Sequence, residues 1–203
     1  MARTVDPAKY AAKRQHILDC AAILFAELGY ERTTTSQLCA RAEISPGNLY
    51  HYFAGKKQVF MAVLTQDEQD TRALLDRLTD EDSPLEALVS FVLHLARPAT
   101  ADPLVSKLVL EAMLQAHRDP DVGSELARVD AEEMQSLRIL LHRAVKAGEV
   151  DPTLAVEESV AWISALVSAL YLQTALAADF DADAQITQLT RTVRGFLAPA
   201  PVR

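Results

Sequence analysis

Apolar residues recur at three- and four-residue steps through almost the whole chain, and this periodicity predicts an all-α protein. From Pro7, the row Ile17, Ala21, Leu24, Phe25 and Leu28 forms one helix, which Gly29 ends because glycine accepts the backbone conformation that follows a helix. Two short rows follow, one at Leu38 and Ala42, the other from Pro46 to Phe53 on Leu49 and Phe53. A long helix is predicted from Gly55-Lys56 to about Thr79 through Phe60, Val63, Leu64, Leu74, Leu75 and Leu78. Pro84 opens the next (Leu85, Leu88, Val89, Val92, Leu95) and Pro103 another (Leu104, Leu108, Met113, Ala116), closing at Asp119-Pro120. From about Val122 a helix runs through Leu126, Met134, Leu137, Leu141 and Val145 to Gly148. Val160 to Ala178 is a continuous apolar stretch, and from about Asp183 the row Ile186, Leu189, Val193, Phe196 and Leu197 forms the last helix. About nine helices are expected, with no strand alternation and no internal repeat.

Between residues 33 and 59 the rows are short and the chain turns sharply: TTTSQLCARAEISPGNLYHYFAGKKQV. Thr34 or Thr35 can cap the first short helix, because a hydroxyl there accepts a bond from an otherwise unpaired amide. Gln37 stands three after Thr34, as in a capping box. Ser45-Pro46 restarts the chain, serine being a good cap and proline suiting the first helical position. The outcome is helix, turn, helix. Leu49 and Phe53, four apart, face inward, so that Gly47, Asn48, Tyr50, His51 and Tyr52 supply the outward side. Small residues permit close approach to a surface, Asn48 can pair with base edges, and tyrosine hydroxyls with Lys56 suit phosphates. Each has a plainer reading: Asn48 as a local cap, Tyr50 and Tyr52 as packed rim aromatics, Lys56 as a solvated charge.

Ile17, Ala21, Ala22, Phe25, Gly29-Tyr30, Thr33-Thr34, Leu38, Ala42, Ile44-Ser45, Gly47, Leu49-Tyr50, Phe53, Lys56 and Val59 form one long spaced pattern. On these residues the first sixty positions or so resemble the tetracycline-repressor (TetR) family of bacterial transcriptional regulators. The resemblance implies a three-helix DNA-binding domain over residues 1–60 and a helical effector-binding and dimerisation domain over 61–203. It carries phosphate contact to Thr35, Tyr50, Tyr52 and Lys56, and base reading to Ser45, Pro46, Gly47 and Asn48; Ser36 and the more variable His51 complete the candidate set. One position departs from the family, which usually has glycine in the turn where this chain has Glu43. If that residue needs a positive φ, glutamate is strained there.

Charge sharpens the division. The chain carries a net charge of −8, but residues 1–60 sum to +3 and residues 61–203 to −11, which marks the first part as the nucleic-acid end. Lys9, Lys13 and Arg14, with Arg3 on the preceding tail, form either a solvated face or further phosphate contacts. The two cysteines, Cys20 and Cys39, sit inside helical rows without metal spacing, and they are read as buried apolar residues. MARTVDPAKYAAKRQ has no apolar core like that of a signal peptide, so a cytoplasmic protein is expected. Val160 to Ala178 is nineteen residues without a charge, yet it is flanked by Glu157, Glu158, Asp179, Asp181 and Asp183 with no Lys or Arg anchor. That points away from a membrane span and toward burial on more than one side.

Catalysis has no visible seat. The six glycines form no phosphate loop, no serine sits in a nucleophile elbow, the five histidines are scattered singly, and Glu132-Glu133 and Glu157-Glu158 read as solvated faces. No catalytic residue, metal ligand or cofactor is expected. The reading is therefore a DNA-binding regulator, a repressor, that grips a palindromic operator as a homodimer and is released by a small apolar effector. The alternative is a helical adaptor that uses its helix-turn-helix for protein contact alone. The resemblance implies dimerisation through the last two helices, with Val160, Val167, Leu170, Thr174, Leu189, Val193 and Phe196 as candidates. It implies an effector cavity in the second domain, with Met113, His117, Leu137, Trp162 and Leu166 as candidates.

Overall fold

A computed structural model describes residues 6–177 and 179–199. Its helices are α1 (Pro7–Leu28), α2 (Thr35–Arg41), α3 (Pro46–Tyr52), α4 (Lys56–Leu64), α5 (Glu68–Thr79), α6 (Pro84–Ala96), α7 (Pro98–Ala101), α8 (Pro103–Arg118), α9 (Pro120–Lys146), α10 (Val156–Leu176) and α11 (Ala182–Leu197). Among the described residues there is no strand. Five of these helices begin with an Asp-Pro or Ser-Pro pair, at Asp6, Ser45, Ser83, Asp102 and Asp119, whose side chains accept bonds from first-turn amides. The aspartate or serine satisfies an orphan donor while the proline pre-sets φ, so the starts are fixed locally. Arg3, Ala178 and the end of the Pro-rich tail lie outside the described residues.

Eleven segments reduce to the nine expected helices when the four-residue α7 is set aside and α4 and α5 are joined. The predicted helix from Lys56 to Thr79 is broken at Thr65-Gln66-Asp67. Residues 65–73 offer no large apolar side chain to pack, and the Thr65 hydroxyl donates back to the Met61 carbonyl at 3.2 Å. A β-branched residue whose hydroxyl competes for a helical carbonyl is a natural place to stop.

The buried residues fall into two cores. One, around Phe91, Leu88, Leu140, Leu141 and Ile163, is built by α6, α9, α10 and α11. The other gathers Ile17, Leu18, Phe25, Leu38, Leu49, Phe60 and Val63 from α1 to α4, and it is completed by Leu108 and Ala112 of α8 and Val122 of α9. Cys20 and Cys39 lie buried in this second core as free thiols. Ion pairs fasten the outer helices, Arg194 to Glu86 between α11 and α6, and Arg138 to Glu157 between α9 and α10.

Two helix ends show the same closing motif with different residues. After α9, Gly148 takes φ 73° while Gly148 N–H bonds Val145 O and Glu149 N–H bonds Ala144 O. After α2, Glu43 takes φ 53° while Glu43 N–H bonds Ala40 O and Ile44 N–H bonds Cys39 O. Both are Schellman closures, which require a left-handed residue after the cap. Gly148 adopts it freely; Glu43 is the one non-glycine residue with positive φ among those described. The left-handed conformation costs an ordinary residue about 1–2 kcal/mol, partly offset against glycine's greater freedom when unfolded. Glu43→Gly is therefore expected to stabilise the protein by roughly 0.5–1 kcal/mol, and Gly148→Ala to destabilise it by a similar amount. Urea unfolding of both variants tests this, and a Glu43→Gly variant less stable than the parent would contradict the assignment of strain.

Candidate nucleic-acid interface and ligand cavity

The helix-turn-helix is set by its caps. Thr34 and Gln37 form the capping box of α2: Gln37 N–H donates to Thr34 Oγ1 at 3.2 Å, and Thr34 N–H to Gln37 Oε1 at 2.8 Å. The Ser45 hydroxyl accepts from Asn48 N–H at 3.2 Å, so Ser45 caps α3 and the Asn48 side chain is not the cap. Leu49 is fully buried and Phe53 nearly so, which turns Pro46, Gly47, Tyr50 and His51 to solvent with Asn48 half-exposed beside them. Ser36 is exposed and Thr35 half-exposed on α2. Tyr50 is the large aromatic of this face, 56% exposed. Tyr52 is different, since its ring lies 4.6 Å from that of Tyr10 on α1. Arg14 sits 5.2 Å over the Phe53 ring, tying α1 to the end of α3.

Lys56 has a second task that sequence alone did not reveal. Its ammonium donates to the Tyr30 carbonyl at 2.8 Å and lies 4.2 Å from the centroid of the Tyr30 ring, holding the loop between α1 and α2. Lys57, next to it, pairs with Asp119 at 2.8 Å and Asp121 at 2.6 Å, at the junction of α8 and α9. Those hydrogen bonds raise the Lys57 pKa and lower that of Asp119. Glu111 of α8 accepts the Tyr30 backbone N–H at 2.8 Å and stands 3.3 Å from where a side chain on Gly29 would begin. The DNA-facing head is thus held to α8 and α9 by polar bonds as well as by a shared core.

A cavity of about 400 Å³ lies directly behind the head. Ala22 of α1, Val63 and Leu64 of α4, and Gln66 and Asp67 of the break form one wall; Thr71, Leu75, His94, Leu95, Val105, Val109, Val129, Glu133 and Tyr171 are among the others. Burial, with Asp130 adding, pushes the Glu133 carboxyl up to about 7. The Asp67 residue retains accessible surface, yet desolvation, with Asp70 adding, raises its carboxyl too. Burial lowers His94, whose Nε2 is 3.0 Å from the Thr71 hydroxyl. The Tyr171 hydroxyl donates to Leu95 O at 2.7 Å.

None of the five effector candidates lines this cavity. Leu137 belongs to the apolar core, Leu166 packs at its edge, and Met113, His117 and Trp162 point to solvent, because α8 and α10 offer their opposite faces to the cavity. The residue most informative in retrospect is Glu133. It occupies an inward place in the α9 row Val122, Leu126, Val129, Leu137, Leu140, so the Glu132-Glu133 pair is a solvated face only at Glu132.

The dimer candidates need a similar correction. Val160, Val167, Leu170, Leu189 and Val193 are buried within the subunit, and Thr174 is half-buried with its hydroxyl unpartnered; of the seven only Phe196 is exposed. The outer side of α10 presents Trp162 (52% exposed), Ala165, Ala169, Leu172 and Leu176 (65% exposed). Their alternating three- and four-residue steps make one apolar stripe, shifted by two residues from the buried row. α11 adds Gln188, Thr192, Gly195 and Phe196. The helix Val156–Leu176 is long and apolar enough to cross a membrane by length and composition, but Ser159, Val160, Ile163, Val167 and Leu170 are buried within the helical bundle.

Comparison with known proteins gives the family and the fold. The profile described as bacterial regulatory proteins, tetR family, matches residues 17–63, and that described as BetI-type transcriptional repressor, C-terminal, matches residues 84–198. An HTH-type transcriptional repressor of Mycobacterium tuberculosis is 30% identical over 141 residues, 69% of this chain and 70% of its own. A transcriptional regulator from Saccharomonospora viridis, solved in complex with choline, superposes with a TM-score of 0.80 at 17% identity over 94% of this chain and 100% of that one. The TetR family regulator CifR, solved with double-strand operator DNA, superposes with a TM-score of 0.72 at 21% identity over 97% of this chain and 100% of that one. The chain belongs to the TetR family of bacterial regulatory proteins and is a DNA-binding transcriptional regulator.

Proposed function

We propose that this regulator is a cytoplasmic homodimer that represses by binding a roughly palindromic operator through α2 and α3, and that a small ligand in the cavity behind α4 releases it. The observation that carries the ligand half of this reading is the wall shared by head and cavity, Val63, Leu64 and the broken segment after them. A ligand that fits better when α4 has moved shifts the population toward a spacing of recognition helices unsuited to DNA. The relatives solved with operator DNA and with choline support both halves as properties of the fold. The adaptor alternative has less support: Pro46 and Gly47 leave room for close approach beside the exposed Tyr50 and half-exposed Asn48, in a segment of net positive charge, which suits a phosphate-lined groove.

Two recognition helices must reach successive major grooves about 34 Å apart or a multiple of it, so the operator is expected to be two-fold symmetric. Tyr50→Ala is expected to weaken binding to all duplexes alike, and Asn48→Ala to change the preferred bases at a cost of about 1–3 kcal/mol at the affected position. Lys56→Ala should lower thermal stability along with affinity, since its ammonium holds Tyr30. Anisotropy titrations on selected and random duplexes separate these outcomes; an Asn48→Ala variant that loses both equally removes Asn48 from base reading.

Dimerisation is assigned to the outer stripe of α10 with α11. Leu172→Glu is expected to give a folded monomer by sedimentation, because it places an unpaired charge in a desolvated interface. Leu170→Glu, at 7% exposure, should instead unfold the subunit. A parent chain that is monomeric at micromolar concentration would overturn the interface.

Filling the cavity tests the release mechanism. Val109→Trp, which places a large ring in a lining position, should abolish ligand binding while leaving operator binding intact. By linkage, operator must weaken ligand affinity by the same factor that ligand weakens operator affinity. Equal ligand affinities with and without operator, measured by calorimetry, would leave the second domain as a dimeriser only.

A further inference from the structure

We propose that the cavity behind α4 selects an organic cation, with an ammonium group beside Glu133 and an apolar body against Val105, Val109 and Leu75. This rests on the reading that the cavity is the ligand site, and it adds a positive charge to the small apolar effector expected from sequence. The ground is the mismatch between the acids that reach the enclosed space and the cations available to them.

Five carboxylates line the cavity, Asp67, Glu68, Asp70, Glu132 and Glu133, against one arginine, Arg72, and one histidine. Arg72 is committed at the edge, bonded to Glu132 at 2.8 Å and Glu68 at 3.3 Å. Arg128 bonds the same two, together with Glu125. Those pairs account for Glu68 and Glu132. Glu133 is left without a cation or donor: the forces on its carboxyl are burial and the charge of Asp130 on its own helix.

The polar groups facing it from other elements are already engaged or carry the wrong sign. Tyr171 of α10 gives its proton to Leu95 O, and Ser136 of α9 gives its own to Glu132 O at 2.9 Å. The Thr71 hydroxyl bonds Asp67 O at 3.1 Å and meets His94, which burial keeps toward its neutral form. Asp67 and Asp70, from the break and α5, add negative potential. A half-buried carboxylate with no donor in reach is less well solvated than one on the open surface, and it gains most from a ligand that brings both charge and apolar surface. An aromatic residue, Tyr171, among the lining side chains suits the same chemistry, and the remaining wall is aliphatic. An anionic ligand would meet three uncompensated acids, and a neutral one without a hydrogen-bond donor would leave the ionised Glu133 unpaired.

The test compares benzyltrimethylammonium with neopentylbenzene, which has the same shape with carbon in place of the charged nitrogen. Both are titrated into the full-length parent, Glu133→Gln and Val109→Trp proteins. The parent is expected to bind the cation at least ~10-fold tighter than the neutral probe. Glu133→Gln should erase that preference while keeping the neutral affinity, and Val109→Trp should abolish both. Cation affinity should also fall ~10-fold between pH 8 and pH 6, as Glu133 takes up its proton near pH 7, and the fall should vanish in Glu133→Gln. If the neutral probe binds as tightly as the cation in the parent, the cation proposal fails while the ligand site stands. If Val109→Trp leaves binding unchanged, or neither probe binds the parent, the ligand-site reading fails with it. A pH dependence that survives in Glu133→Gln would assign it to His94, Asp67 or Asp70 and overturn the role given to Glu133. Should Glu133→Gln fail to fold, as seen by circular dichroism, the parent comparison of the two probes decides alone.

Discussion

The DNA-facing head does not close its own core. Ile17, Leu18, Phe25, Leu49 and Phe60 pack around a space whose remaining side is filled by Leu108 and Ala112 of α8 and Val122 of α9. Three short helices and one long one bury too little by themselves, so the head is stabilised by apolar surface borrowed from the larger bundle. Everything positional follows from that sharing. Gly123 lets the start of α9 close on α8, since a side chain there would begin 2.7 Å from Ala116 O, and Gly29 permits the approach of Glu111 to the head. Lys57 then bridges to Asp119 and Asp121, partly exposed pairs whose value lies more in fixing orientation than in stability. A displacement of α8 or of the start of α9 cannot leave the head where it was.

The acidity of the second part of the chain has a structural distribution. Part of it is neutralised pairwise on the outside, by Arg138 with Glu157, Arg194 with Glu86, and Arg72 and Arg128 with Glu68, Glu125 and Glu132. These networks lie at helix junctions and hold α5 to α9, α9 to α10, and α6 to α11. Of the carboxylates outside these pairs, Asp67, Asp70 and Glu133 line the cavity. Keeping Glu133 ionised there costs folding free energy at neutral pH, because its protonation equilibrium is shifted up from the ordinary range to about 7. Its folded pKa lies above the unfolded value, so that cost is absent below the ordinary value of 4.5, grows as pH rises from there to about 7, and is constant above.

Most helix boundaries were legible because they are written locally. Asp-Pro and Ser-Pro pairs at Asp6, Ser45, Ser83 and Asp102 fix starts, and Gly29 and Gly148 fix ends, without reference to the rest of the fold, whereas Asp119-Pro120, read as the close of α8, also opens α9 two residues before the expected Val122. The strain at Glu43 was legible through the resemblance to a family that usually has glycine in that turn, and the φ of 53° bears it out. The faces were harder. An apolar row shows that a helix is buried but not against what, so Val160, Val167 and Leu170 could be read as an interface when they are core, and Trp162, Leu172 and Leu176 are the outward stripe. α10 is apolar all round, which removes the contrast that elsewhere distinguishes the two sides. The cavity was hidden by a different ambiguity, since residues around a void have the same spacing as residues around a packed centre. A charged residue in register with an apolar row, as Glu133 is, was the available signal.

α10 places two of these surfaces back to back. Tyr171 lines the cavity while its neighbour Leu172 belongs to the exposed stripe, so one turn of one helix joins the proposed ligand site to the proposed dimer seam. That adjacency changes what a ligand must achieve. Moving a two-state protein from 1:99 to 99:1 takes a differential affinity of about 10⁴-fold, on the order of 5.5 kcal/mol, which is more than one small molecule in a 400 Å³ cavity readily supplies. If the seam obliges two subunits to change together, two equal ligands share the requirement, and each needs only about 100-fold preference for the released state. A rigid, well-packed contact between the outer faces of α10 and α11 is then part of the switch as well as of the assembly, because a loose one would let each subunit respond alone and leave one recognition helix on its half-site.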